Sequence, residues 1–221
     1  DLAVRAVDRQ EVLVKSLQAE VQRSREFGAK KERVIAEKAK EIAVDLPPVI
    51  QKQFDASIEL GKMLEKITVD EATVVDRLKL KKAQLKQIEE EFALAQEQIK
   101  YPMHTETIGL ALREQRRGLP RIENFRRDSE LRKMQMGEIR SIQLELERQR
   151  RELADLEQAM DRILQHETLP PDTNIEVLKT ELRRLLIDRR ELLKKLLAGC
   201  QRLFKNLQGL EFLERQVAAK A

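Results

Sequence analysis

Few side chains in this sequence have the chemistry of a reactive centre, and their spacing decides what they can do. His104 and His166 both lie beside expected turns, with no Cys, His or carboxylate at metal-ligand spacing. They read as solvated loop residues rather than as zinc ligands or a general base. Cys200 is the single cysteine. It cannot close an intrachain disulfide, and between Leu196 and Leu203 it reads as a small core residue rather than a reactive thiol. Glu89, Glu90 and Glu91 have no apolar pocket to raise a pKa and have basic residues nearby, so they are the wet face of a helix. No glycine-rich phosphate loop and no serine in a strand-to-helix elbow is present. The expectation is a protein that is not an enzyme, with no cofactor and no metal.

The remaining chemistry is basic. Arg113, Arg116, Arg117, Arg121, Arg126 and Arg127 surround a corner at Gly118, Leu119 and Pro120. Clustered cations of this kind could meet lipid headgroups, acidic polymers or a partner's carboxylates through summed electrostatics. Glu114, Glu123, Asp128 and Glu130 interleave with them, however, and intrahelical pairs worth a few tenths of a kcal/mol each are the simpler reading. A second series, Arg183, Arg184, Arg189, Arg190, Lys194 and Lys195, shares its segment with many leucines and reads as a coiled-coil flank. With 43 basic against 39 acidic residues the net charge is only +4, spread in both signs along every segment, so no nucleic acid partner is expected.

What must position these groups is helix. A seam at Ile139, Ile142, Leu146, Gln149, Leu153, Leu156, Met160 and Ile163 repeats every three and four residues, which keeps one narrow stripe toward a partner helix. Aromatic residues make up 3% of the chain and charged residues 37%, a balance suited to long helices packed along Leu, Ile and Ala seams rather than to a compact enzyme core.

The spacing predicts long helices over about 2–45, 48–100, 120–167 and 174–220, and a short one over 106–117. Helix 2–45 is expected to loosen around Phe27 and Gly28, and Pro47 and Pro48 to end it. Thr68 with Glu71 fits a capping box, so helix 48–100 is expected to break or kink near residue 68. Gly118 suits a left-handed C-terminal residue, Pro120 opens the next helix, and Thr168, Leu169, Pro170 and Pro171 form a turn. Thr173 with Glu176 then caps the last helix.

The fold class expected is all-α, an elongated antiparallel coiled-coil or helical-hairpin bundle forming a single domain over 1–221. At 1.5 Å per residue a helix of about 45 residues spans roughly 65 to 70 Å. No apolar run approaches the roughly 20 residues that cross a bilayer, and no leader opens the chain, so a soluble segment is expected. Because the chain begins at Asp1 without a methionine and already reads as helix, it is expected to be a fragment of something larger.

At the central corner Gly109, Leu112, Arg113, Gln115, Arg116, Leu119 and Pro120 form G-x-x-L-R-x-Q-R-x-x-L-P. This resembles the extracytoplasmic N-terminal domain of large mechanosensitive channels of the MscS superfamily, the MscK (KefA) type. The resemblance extends to R-x-I-Q-L-E-L-E-x-Q-R-R-E-L-A-D-L-E between Arg140 and Glu157, and to the leucine-rich run from Leu185 to Glu214. It is motif-based from about residue 90 onward and compositional before it. Phe204 stands where that family often has a tyrosine, which keeps the packing role and removes a hydroxyl.

The resemblance implies a periplasmic location as part of an inner-membrane protein, with a signal peptide before the domain and membrane helices and an MscS-like pore after it. It further implies tension-gated release of ions during osmotic downshock, and self-association within a heptameric parent. Envelope components or lipid headgroups are further candidate partners. Rival expectations are a periplasmic adaptor or tether in an envelope transport assembly, which would need β-rich flanking segments, and a cytoplasmic coiled-coil tether.

Overall fold

The computed structural model describes residues 2–42, 47–100, 109, 113, 122–165 and 174–220. Among them the fold is all-α, with five helices and no strand: α1 (Leu2–Ile42), α2 (Pro48–Lys100), α3 (Ile122–Glu152), α4 (Leu156–Gln165) and α5 (Ile175–Lys220). The turn at Thr168–Pro171, the left-handed Gly118 and both histidines lie outside the described residues.

Four local expectations meet a different structure. α1 runs unbroken through Phe27 and Gly28, and α2 runs unbroken through residue 68. The reason in α2 is that the Thr68 hydroxyl donates to the carbonyl of Leu64 at 2.7 Å, one turn back along its own helix. It therefore caps nothing, and Glu71 turns to Arg25 on α1, 3.2 Å away. At the start of α5 the capping residue is Asn174: its Oδ1 accepts from the amide of Val177 at 3.3 Å. Finally, the helix expected over 120–167 is interrupted at Leu153, Ala154 and Asp155. There the Ala154 amide reaches Arg151 O, and Asp155 Oδ1 accepts from the Gln158 amide at 3.1 Å, opening α4 as an N-cap. The signal was in the sequence, since Asp155 followed three residues later by Gln158 has the form of a capping box.

Contacts divide the chain into two compact units. Unit 1 comprises Asp1–Ala72 and Ile142–Cys200. In it α1 and α2 run antiparallel, with Arg25 beside Glu71 and Arg33 beside Glu65. They approach so closely that a Cβ on Gly61 would lie 3.2 Å from the Cα of Arg33. The unit is filled from α2 by Ile50, Phe54, Ile58 and Leu64, from α3 and α4 by Leu146 and Met160, and from α5 by Leu182, Leu186, Leu193 and Leu196.

Unit 2 comprises Thr73–Ser141 and Gln201–Ala221. α3 lies antiparallel to α5, since Ser129 meets Glu211 and Arg140 stands over the Phe204 ring at 6.0 Å. Its buried apolar residues are Val74, Ile88, Ile139, Leu203, Leu207, Leu210 and Val217.

α5 organises both cores because its apolar positions obey a strict seven-residue repeat. Leu182, Arg189, Leu196, Leu203, Leu210 and Val217 form one row, and Leu186, Leu193, Cys200, Leu207 and Glu214 the other. Every member except the half-buried Arg189 is buried. On α3 the buried row is Ser129, Arg132, Ile139, Gln143 and Leu146, so Gln143 rather than its neighbour Ile142 faces inward. Continuous stripes of this kind are what give such long helices their stability, since propensity alone leaves a helix marginal in water.

Candidate functional site

Two rows made almost wholly of leucine contain polar residues, and those exceptions are where side-chain chemistry is concentrated. In unit 2 the cluster is Arg132, Glu211, Glu214 and Ser129, all buried. Arg132 is carried by α3 at a position the repeat would give to an apolar residue. Its Nε donates to Glu211 Oε2 at 2.9 Å, Nη2 lies 2.9 Å from the same oxygen, and Nη1 lies 2.6 Å from Glu214 Oε2. Glu211 Oε1 accepts from Ser129 Oγ at 2.7 Å and from Arg215 Nε at 3.0 Å. Burial acts to raise the pKa of Glu211, but the hydrogen bonds from Ser129, Arg132 and Arg215 outweigh it and hold the carboxyl below its ordinary range. One arginine shared by two buried carboxylates is a fixed ion pair network.

A groove of about 620 Å³ adjoins this cluster, lined by Arg77, Leu80 and Lys81 of α2 and Asp128, Leu131 and Met134 of α3. Leu80, Leu131 and Met134 are all exposed in it.

In unit 1 the exception is Arg189. Sequence reading groups it with the charged flank of α5; the structure turns it inward. Its Nη1 donates to Gln53 Oε1 at 3.0 Å and its Nη2 to Gln149 Oε1 at 3.3 Å, while its buried Nε has no hydrogen-bond partner among the described residues. Burial pushes its pKa down, partly offset by the Glu152 carboxylate. Gln149 thereby acquires a reason to stand in an apolar seam. A cleft of about 190 Å³ opens here, lined by Glu152, Leu153, Ala159 and Arg162 beside the break between α3 and α4. Arg162 spans that break, its Nη2 donating to the Glu152 carbonyl at 3.3 Å.

Cys200 is fully buried and free, and burial pushes its thiol up to about 11, which leaves it protonated and unreactive at neutral pH. Of the seven motif residues at the central corner, Gly109 is helical and half-buried and Arg113 helical and exposed. Leu112, Gln115, Arg116, Leu119 and Pro120 lie outside the described residues. Arg126 and Arg127 are exposed, and in the other basic series Arg183 pairs with Glu157 and Lys195 with Glu32 at 2.6 Å. Glu89 pairs with Lys220 on the surface. Among the described residues no group of His, Cys, Asp and Glu is arranged to hold a metal ion, and no helix is long and apolar enough to cross a membrane.

Comparison of the chain with protein-family models, with curated proteins and with solved structures gives no match.

Proposed function

We propose that this chain is a non-catalytic, periplasmic scaffold domain of a large mechanosensitive channel of the MscS superfamily, built as an elongated antiparallel coiled-coil or helical-hairpin bundle. Its task in that reading is to assist assembly of the channel or to modulate gating during osmotic downshock, while a pore elsewhere in the parent conducts. The observation that carries it is the combination of the Gly109 to Pro120 motif with the arginine and glutamate-rich seam from Arg140 to Glu157. The long, seam-packed helices of the two units are consistent with a mechanical or positional role, because a rod-like element transmits displacement along its axis. Seven copies around an axis would form a periplasmic vestibule.

The test is made on the parent gene and the parent protein. A secretory leader upstream, and membrane helices with an MscS-like module downstream, are expected, and deletion of these 221 residues is expected to change gating threshold or assembly in patch-clamp recordings. Absence of both flanking features, or a deletion that leaves threshold, ion selectivity and assembly unchanged, overturns it. The first of those outcomes would leave a coiled-coil scaffold or an adaptor of an envelope transport assembly.

A further inference from the structure

From Val12 to Val21 α1 carries apolar side chains that are uncovered. Every residue from Val12 to Gln18 is exposed, on all sides of the helix, and Leu13, Val14, Leu17 and Val21 are exposed by 59%, 51%, 53% and 47%. Further along, α1 meets α2: Gln22 Nε2 donates to the Thr68 carbonyl at 3.3 Å and Arg25 meets Glu71. A lone helix rich in β-branched residues is marginal in water and gains its stability by burying a stripe. The arrangement of these residues says what kind of stripe it is.

Valines stand at residues 7, 14 and 21, seven apart, and Leu17 stands at the other seam position, with Gln10 one heptad before it. β-Branched residues in the first row with leucine in the second favour two parallel strands, and a polar seam residue such as Gln10 helps to fix their register. The flanking charges agree. In a parallel pair Glu20 of one copy faces Arg25 of the other, whose guanidinium, 40% exposed, also meets Glu71 of its own α2, and Leu13 faces Gln18; no like charges meet. Antiparallel pairing would set Leu13 against Glu20 and Gln18 against Glu11, with no attraction gained. After Val21 the seam passes to Ser24 and Gly28, where α1 turns to its own α2.

From these features we infer that residues 3 to 24 of α1 pair in parallel, and in register, with the same segment of a second copy of this chain. The paired length is about 33 Å at 1.5 Å per residue. The inference goes beyond the channel proposal and does not rest on it: pairs alone leave one α1 unmatched in a ring of seven, so the two make different predictions for mass.

Sedimentation equilibrium of the 221-residue chain is expected to give twice the 25.8 kDa of one chain. Leu17→Lys, at a position exposed in the single chain, is expected to return it to one chain with unchanged helical content by circular dichroism. Under mild oxidation Val14→Cys is expected to form a disulfide between the two residue-14 positions, which a parallel, in-register pair sets face to face, while the buried Cys200 does not compete. A single-chain mass at the highest soluble concentration, a pair that survives Leu17→Lys, or an uncrosslinked Val14→Cys overturns the inference. So does a mass of seven chains, which would instead favour the channel proposal.

Discussion

Arg132 decides more about unit 2 than any other described side chain, because among the described residues it is the one cation paired with two buried carboxylates. Truncation in Arg132→Ala takes from Glu214 the cation it meets in the seam and leaves Glu211 with Arg215 alone, and is expected to cost about 3–5 kcal/mol in denaturant unfolding. Replacing Arg132, Glu211 and Glu214 together by Met, Leu and Leu removes the charge along with its partner and is expected to leave stability equal or higher. If the single and triple variants lose the same amount, the network is not what holds that seam. pH supplies an independent check on Glu211. Its carboxyl is held below the ordinary 4.5, so the stability it contributes is present above 4.5 and is lost as pH falls through the depressed value. Glu211→Gln should accordingly flatten the fall in stability between neutral pH and acid. None of this was legible residue by residue. Arg132 and Glu211 look like two more charges in a charged chain, and only the register of the heptads, with polar residues falling on buried rows, separates them from the solvated flank. Arg189 illustrates the same limit, since six basic residues share its segment of α5 and periodicity alone does not say which one is inside until the row Leu182, Leu196, Leu203 is aligned.

Helices were legible as elements far better than their interruptions were. Proline pairs and seven-residue periodicity are strong signals, and α1, α2 and α5 follow them. Thr68 and Asp155 both offer side chains suited to capping. One remains mid-helix and the other opens a helix, because each chain position also has to keep its neighbours packed: Ile67 and Glu71 are buried on α2, whereas Ala154 and Asp155 are exposed and can leave the helix at little cost. Glycines separate these cases experimentally. Gly137 sits inside α3, exposed, with nothing within 4 Å of an added Cβ and no positive φ, so Gly137→Ala is expected to raise stability by about 0.5–1 kcal/mol. Gly61 is the opposite case. Its Cβ would press on the α1 backbone at Arg33, so crowding is expected to outweigh the gain in helix propensity and Gly61→Ala to lower stability. Thermal denaturation of both variants tests the pair. A gain at both sites would mean that α1 and α2 can separate freely at that contact.

At the level of the whole molecule, an all-α fold with mixed surface charge followed from composition, but the division into two units did not, because α2, α3 and α5 each carry their periodicity across the boundaries at Ala72, Ser141 and Cys200. The units differ in how they are held. In unit 1 the α5 rows bury Leu182, Leu186, Leu193 and Leu196 completely; the one charge those rows turn inward there, Arg189, is neutralised by neither partner amide, and the unit's buried carboxylate, Glu71, lies on α2 and pairs with Arg25. Among the described residues of unit 2 fewer apolar side chains are buried and a seam position is given to Glu214, so a larger share of its cohesion rests on the ion pairs of Arg132 with Glu211 and Glu214. Acid should therefore loosen the two units unequally. Hydrogen exchange at neutral pH and near pH 3, corrected for the intrinsic pH dependence of exchange, is expected to show protection falling more for amides from Leu203 to Val217 than for those from Leu182 to Leu196, although all belong to one uninterrupted helix. Arg132→Met with Glu211→Leu and Glu214→Leu should abolish that difference, since no buried carboxylate remains in the seam to be protonated. Equal loss of protection along α5 in the unmodified chain would show that the helix opens as one cooperative element and that the ion pair network does not set the stability of its second half.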